Sequence, residues 1–204
     1  AAPGLAPIVR DPAPLLERLV EQVRERRAQG QPLWIFGYAS LIWRPDFEVA
    51  EHRAALVRGW HRALRMRSRV NRGTPQQPGL VFALLPGGSC HGVAYRIDDR
   101  HAETELRRLW QREMPTGVYD ARFLPCRTAA GRIDAVGFTL SRRSPNYTGA
   151  LADDEMLHIL RTASGRYGST LEYLQRTAAC LHERGVPDRE IDRLMALART
   201  HRLL

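Results

Sequence analysis

The chain contains no lysine, so all 31 of its basic residues are arginine. With 22 acidic residues, the formal net charge of the 204-residue chain is +9. A positive charge of this size is compatible with nucleic-acid binding. The arginines are scattered, however, and their densest stretch is residues 58–72. An arginine-only set spread in this way indicates a coding bias, and we expect no nucleic-acid partner.

Cysteine is also scarce, with Cys90, Cys126 and Cys180 far apart in the sequence. No pair has the spacing of metal ligands, and an odd count does not suggest a disulfide framework. The seven histidines form no His-x-x-His or His-Glu-x-x-His pattern. We therefore expect free thiols, a reducing cytoplasmic location, and neither a metal nor a cofactor.

Long apolar runs are missing as well. No stretch approaches the ~20 residues that a membrane-spanning helix needs, so no membrane partner is expected. Residues 1–7 lack the charged start and apolar centre of a secretory signal, and we predict a loose tail over residues 1–10. A chain of 204 residues suits one domain with a sizeable core, so we predict a single domain over 1–204.

The hydrophobic pattern predicts strands in the first two-thirds of the chain and helices in the last third, which is typical of the α+β class. A helix begins at Asp11-Pro12 and ends by Gly30. Strands are expected at 33–36, 52–69, 119–128 and 132–140, and a hairpin of 80–85 with 90–97 about Pro-Gly-Gly-Ser. For 52–69 an amphipathic helix is the alternative. Further helices are expected from Asp98 or Asp99 to about 114, and at 153–163, 168–184 and 187–204.

The apolar run 33–36 breaks at Gly37 into small and polar residues. Such a pattern is typical of a buried strand entering a tight loop. Ala39 and Ser40 leave room for a ligand near the main chain, and backbone N–H groups of such a loop can bind an anion or a carbonyl oxygen. The alternative is an ordinary strand-to-turn transition.

Glu113 is out of place in the predicted helix before Pro115. It continues the apolar face formed by Ala102, Leu106, Leu109 and Trp110. Partial burial and the helix C-terminus would both raise the pKa of this carboxylate, which favours a proton acceptor near neutral pH. The alternatives are an ion pair with Arg112 or Arg143, or a frayed and solvated helix end.

Six blocks of the sequence, in the same order, resemble the ChaC-like γ-glutamylcyclotransferases. The first is Phe-Gly-Tyr-Ala-Ser-Leu-Ile-Trp-Arg-Pro-Asp-Phe (36–47), in which Ala39 stands where the family usually has Gly. The others are Val-Arg-Gly-Trp (57–60), Cys-His-Gly-Val-Ala-Tyr (90–95), Arg-Glu-Met (112–114) with Gly-Val-Tyr (117–119), Pro-Asn-Tyr-Thr-Gly (145–149), and Gly168 with Leu-Glu-Tyr-Leu (171–174).

This resemblance implies the cyclotransferase barrel, a small mixed β-barrel or sheet with surrounding helices. It implies cleavage of a γ-glutamyl substrate, most similar to the glutathione-acting branch, without a cofactor. It places the essential catalytic acid on Glu113. The candidate substrate-binding residues are Gly37, Tyr38, Ala39, Ser40, Leu41, Ile42, Tyr119 and Tyr147. Arg44 or Arg67 would meet the glycine carboxylate of glutathione.

Three alternatives remain at this point. The same chemistry can act on γ-glutamyl amino acids, γ-glutamylamines or carrier-bound γ-glutamyl groups. A thiol nucleophile at Cys90 is disfavoured, because adjacent residues of a strand such as Cys90 and His91 point to opposite faces. A basic, non-enzymatic binding module is the alternative outside enzymes. The oligomeric state does not follow from the sequence.

Overall fold

The computed structural model describes residues 10–204. Most of the predicted tail therefore lies outside the described residues. Arg10 is described, and its Nε and Nη2 donate to the carbonyl oxygens of Gly117 at 3.1 Å and Tyr119 at 2.6 Å. The described residues group into two compact units, 10–62 with 84–141 and 63–83 with 142–204. The single domain over 1–204 stays a prediction.

Five strands of the described chain close into a barrel in the order β1-β3-β2-β4-β5. The strands are β1 (Trp34–Gly37), β2 (Glu51–Ser68), β3 (Gly79–Arg96), β4 (Asp120–Thr128) and β5 (Gly131–Thr139). β1 is antiparallel to β3 and parallel to β5, with Ile35 opposite Val136. The predicted α+β class and mixed barrel are confirmed, and 52–69 is a strand rather than a helix.

The first of the two units, residues 10–62 with 84–141, contains three helices among its described residues. They are α1 (Ala13–Ala28), α2 (Ser40–Trp43) and α3 (Ala102–Glu113). α1 follows Pro12, which agrees with the preference for proline at a helix start. α3 is capped by His101 and not by Asp98 or Asp99, so that detail of the prediction is wrong. Asp98 instead accepts the backbone N–H of Arg100 at 2.9 Å, which makes a local turn before the helix.

The hairpin predicted about Pro-Gly-Gly-Ser is wrong, because β3 runs without interruption through these residues. Leu84 pairs with Thr139 of β5, and Val93 pairs with Gly37 of β1. The two glycines adopt positive φ values of 101° at Gly87 and 70° at Gly88. Such values usually indicate a turn, but here they bend an exposed part of the strand without reversing it.

The second unit, residues 63–83 with 142–204, is mostly helical, as predicted. Its elements outside the barrel strands are α4 (Asp153–Thr162), β6 (Ser164–Gly165), β7 (Gly168–Ser169), α5 (Thr170–Glu183) and α6 (Arg189–Thr200). At the start of α5, the Thr170 hydroxyl donates to Arg72 O at 3.1 Å and accepts from Leu80 N at 3.0 Å. No helix within residues 10–204 is long and apolar enough to cross a membrane.

Candidate active site

The loop that follows β1 is buried and held in place by two side-chain contacts at Tyr38. The Tyr38 hydroxyl donates to the carbonyl oxygen of Phe138 at 3.1 Å. Nη1 of Arg62 donates to the carbonyl oxygens of Tyr38 at 2.7 Å and His91 at 3.0 Å. Arg62 is only 6% exposed, so these bonds lie in the interior of this unit. The loop backbone is therefore fixed from both sides of Tyr38.

The loop becomes a single helical turn at Ser40. The N–H of Ile42 donates to Ala39 O at 2.9 Å, so this group is already used within the loop. Within the described chain, the N–H groups of Ser40 and Leu41 donate to no backbone acceptor, as expected for the first turn of a helix. These two N–H groups at the start of the turn are therefore candidate donors to an anion. The φ of Ala39 is −148°, so this residue lies outside the positive-φ region that favours glycine.

Glu113 is the last residue of α3, and the apolar face predicted to precede it is confirmed. Its four members are all buried: Ala102, Leu106, Leu109 and Trp110. The Glu113 side chain is 18% exposed, and Oε1 lies 3.1 Å from Nε of Arg112. Burial raises the pKa of Glu113, and the positive charge of Arg112 opposes this rise without cancelling it. Glu113 therefore has both the raised pKa and the ion pair with Arg112 that were predicted as alternatives.

Arg112 joins this carboxylate to the loop. Its Nη2 donates to the Ser40 hydroxyl at 3.2 Å, and its Nη1 donates to Arg44 O at 2.6 Å and to Asp46 Oδ2 at 3.1 Å. The carboxylate of Glu113 and the turn that begins at Ser40 are thus bonded to one guanidinium group. The sequence predicts the ion pair of Arg112 with Glu113 as one alternative, and it gives no sign of the contacts of Arg112 with the loop.

The two candidate tyrosines lie in different units. Tyr119 is 7% exposed, and its ring packs 6.2 Å from the ring of Phe138, whose carbonyl oxygen binds Tyr38. Tyr147 belongs to the unit of residues 63–83 and 142–204, where it is half-buried and forms an isolated β-bridge with Met66. Both stay predictions as substrate-binding residues, as do the loop residues and Glu113 in their assigned roles.

The two candidate arginines also differ. Arg44 is exposed, and its Nε lies 2.7 Å from Oδ2 of Asp46. Arg67 is half-buried in the other unit, where its backbone N–H donates to Asn146 O at 2.8 Å. An existing carboxylate partner makes Arg44 the weaker candidate for a substrate carboxylate.

Sequence reasoning missed Arg62, which it counted only within the arginine-rich stretch. The sequence did offer one signal, since Arg62 lies between the apolar residues Val57 and Leu64 of the predicted strand. In the structure, this part of β2 is where the buried residues lie. An arginine at an inward strand position requires several acceptors, and the carbonyl oxygens of Tyr38 in the loop and of His91 in β3 supply two of them.

Cys126 and Cys90 are poor candidates for a catalytic nucleophile. Burial raises the pKa of the Cys126 thiol to about 12, which disfavours the thiolate needed for nucleophilic attack. Cys90 is buried whereas His91 is exposed, so the two side chains lie on opposite faces. In residues 10–204, no group of three or more His, Cys, Asp or Glu side chains could hold a metal ion.

Comparisons with known proteins point to one family. Residues 33–201 match the family model described as ChaC-like protein. The chain is 37% identical to the Escherichia coli glutathione-specific γ-glutamylcyclotransferase over 165 residues, which is 80% of this chain and 71% of that protein. It is 32% identical to the human glutathione-specific γ-glutamylcyclotransferase 1 over 183 residues, covering 87% and 80% of the two chains.

A crystal structure shows the same fold. It is that of a γ-glutamyl cyclotransferase specific to glutathione from yeast, which superposes with a TM-score of 0.76 at 20% identity. The superposition covers 83% of this chain and 96% of the yeast chain. At this level of identity, the likeness concerns the fold, and it agrees with the barrel predicted from the sequence.

Proposed function

The chain belongs to the ChaC-like protein family, and on that premise we propose that it is a γ-glutamylcyclotransferase that converts glutathione into 5-oxoproline and Cys-Gly. The named relatives that share 32% and 37% identity with it support the glutathione substrate. The observation that carries the proposal is the position of Glu113, a partly buried carboxylate with a raised pKa that Arg112 connects to the loop after β1.

The reaction needs little more than a proton carrier and a fixed geometry. In a γ-glutamyl peptide, the α-amine attacks the γ-carbonyl carbon of the same residue, and a new C–N bond closes a five-membered lactam. The amide bond to the next residue then breaks and releases its amine. Because the nucleophile is part of the substrate, much of the orientation cost is already met. No enzyme nucleophile or redox step is required.

Glu113 carries the proton in this proposal. The carboxylate takes a proton from the α-ammonium, which frees the lone pair for attack, and passes it to the leaving amine. The attacking nitrogen loses a second proton when it becomes the lactam amide, and the released amine takes this proton up and departs as an ammonium. A raised pKa suits both steps, because the donor and acceptor forms are then closer in energy at neutral pH. The pKa of an ordinary glutamate, 4.5, would make it a weak base.

The tetrahedral intermediate carries a negative oxygen that requires hydrogen-bond donors. The backbone N–H groups of Ser40 and Leu41 are the donors that we assign to it, because they have no backbone acceptor in the described chain. The same groups can instead bind the α-carboxylate of the substrate. The three free thiols, Cys90, Cys126 and Cys180, support a cytoplasmic location as part of the proposal.

The test is incubation of the purified protein with reduced glutathione, without added metal or nucleotide, while mass spectrometry follows 5-oxoproline and Cys-Gly. We expect equal amounts of both products, and a loss of at least about 100-fold in kcat for Glu113→Gln, which keeps the shape but removes the base. Glu105→Gln is the matched control, since Glu105 is a second glutamate of α3 with a side chain only 13% exposed. Near-normal turnover by folded Glu113→Gln would refute its role.

A parallel assay with γ-glutamyl amino acids and γ-glutamylamines tests the choice of substrate. Turnover of these compounds without turnover of glutathione would show that the proposed substrate is wrong and that the proposed reaction is right. Absence of 5-oxoproline from every γ-glutamyl compound would refute the enzymatic function and favour a binding module.

A further inference from the structure

The guanidinium of Arg112 makes contacts in two directions at the end of α3. Its Nε lies 3.1 Å from the Glu113 carboxylate. Its two Nη atoms donate to the Ser40 hydroxyl, to Arg44 O and to Asp46. A guanidinium is planar and its five N–H donors have fixed directions. The Glu113 carboxylate and the turn that begins at Ser40 are therefore fixed with respect to each other by one rigid group.

The surroundings of Arg112 favour a role beyond packing. Its side chain is 25% exposed and that of Glu113 is 18% exposed, so both charges are only partly solvated. The charged groups that face this pair are Asp46, which approaches Arg112 at 3.1 Å, and Arg44, which binds the same Asp46 carboxylate at 2.7 Å. Asp46 thus contacts both arginines, and Arg112 contacts both carboxylates, so these four side chains form one connected cluster of two positive and two negative groups.

We propose that Arg112 is a positioning residue, which holds the carboxylate of Glu113 at a fixed distance from the turn that begins at Ser40. This inference rests on the proposed function for its catalytic meaning, although the contacts themselves do not depend on it. In the proposed function the carboxylate carries the proton, and the N–H groups of the turn bind the negative oxygen or the α-carboxylate of the substrate. Both must reach one substrate at the same time, so their separation matters for the rate.

Arg112 also sets the charge state of Glu113. Burial raises the pKa of Glu113, and Arg112 is the group that opposes this rise. Without the guanidinium, the carboxylate would hold its proton to a higher pH. The base would then be unavailable over part of the range in which the wild-type protein works.

Two variants separate the effect of the shape of the Arg112 side chain from the effect of its positive charge. Arg112→Lys keeps the positive charge but has no planar fork, and Arg112→Met removes both. We expect kcat/KM to fall about 10- to 100-fold in each, since a displacement of about 1 Å can cost this much. We expect the acid limb of the pH profile to move to higher pH in Arg112→Met and to stay near its wild-type position in Arg112→Lys. Arg108→Gln is the control, because the Arg108 side chain is 67% exposed on the same helix.

A second measurement does not depend on turnover. The carboxyl carbon of Glu113 is followed by NMR as the pH is changed in wild type and Arg112→Met, with Glu113→Gln identifying the signal. A higher pKa of Glu113 in Arg112→Met is the expected result. An unchanged titration together with an unchanged acid limb in a folded variant would overturn the inference. Loss of the proposed function would instead show as absence of product in the wild-type assay, while the NMR titration still tests Arg112.

Discussion

Arg62, a buried residue of β2, donates a hydrogen bond of 2.7 Å to the carbonyl oxygen of Tyr38 at the start of the candidate active-site loop. A second bond from the same Nη1 reaches the carbonyl oxygen of His91 in β3 at 3.0 Å. The loop thus takes its position from an interior arginine as well as from the end of β1. The Tyr38 hydroxyl, bound to Phe138 O, fixes the other side of this residue.

Replacing Arg62 by Met should destabilise the protein and lower its activity. The change removes the donor from the buried carbonyl oxygen of Tyr38 and from the part-buried carbonyl oxygen of His91, and an unsatisfied buried group costs about 1–3 kcal/mol. For a chain of this length, each kcal/mol corresponds to about 2–4 °C in Tm. Thermal unfolding measures the first effect and kcat/KM at a temperature well below Tm the second. Arg58→Met, at an exposed position of the same strand, is the control. Equal Tm values for the two variants would contradict this role.

Glu113→Gln should raise the stability at neutral pH while it removes activity. The pKa of Glu113 in the folded state lies above its ordinary value of 4.5, so the folded protein binds this proton more tightly than the unfolded chain. The corresponding stability is present at low pH and is lost as the pH rises through the folded pKa. Glutamine does not ionise, so the Glu113→Gln variant does not lose this stability as the pH rises. The Tm of Glu113→Gln should therefore exceed that of wild type near pH 7.

The pH dependence provides the control for this prediction. The difference in Tm between Glu113→Gln and wild type should shrink as the pH falls towards about 4, where the carboxyl is protonated in both states. Tm values of Glu105→Gln over the same pH range show the effect of replacing another partly buried glutamate of α3. A difference that stays constant with pH would mean that the pKa of Glu113 is not raised in the folded protein.

Gly92→Ala should disturb the loop from the side of β3. A Cβ atom at this position would lie 2.3 Å from Gly37 O and 2.8 Å from the ring of Phe36. Overpacking of this kind typically costs about 1–3 kcal/mol, and here it displaces the residue at which the loop begins. We expect a lower Tm and a lower kcat/KM. Gly87→Ala is the comparison, because a Cβ there meets open space although its φ of 101° is unfavourable. Full activity of Gly92→Ala would show that the loop tolerates the shift.

Tyr119→Phe and Tyr147→Phe test the two candidate tyrosines separately. If a hydroxyl donates to the substrate carboxylate, its loss should raise KM with a smaller change in kcat. A hydrogen bond to a charged group contributes about 1.5–3 kcal/mol, or roughly 10- to 100-fold in kcat/KM. Steady-state kinetics with glutathione measure this. Tyr167→Phe serves as the control, because Tyr167 is 45% exposed. Normal KM and kcat in either variant would remove that tyrosine from the site.

Local patterns in the sequence were sufficient for several elements. The apolar run before Gly37 predicted β1, and the spacing of Leu106, Leu109 and Trp110 predicted α3 with Glu113 at its end. These two predictions are correct because the spacing of apolar residues indicates which face of an element is buried. Burial of one face is the main factor that stabilises such an element. The same reasoning predicted the raised pKa of Glu113, since an acid on an apolar face has few ways to stay solvated.

The sequence alone predicted β1, β4 and β5, the helices α1 and α3 to α6, the apolar face that carries Glu113 and the family resemblance of the loop at 36–47. Only the tertiary structure decided that β3 continues through Gly87 and Gly88, because pairing with β5 at Leu84 and with β1 at Val93 outweighs the local turn signal. It also decided the roles of Arg62 and Arg112. A guanidinium binds whichever acceptors the fold brings near it, and the loop carbonyls that bind these two arginines come from other parts of the chain.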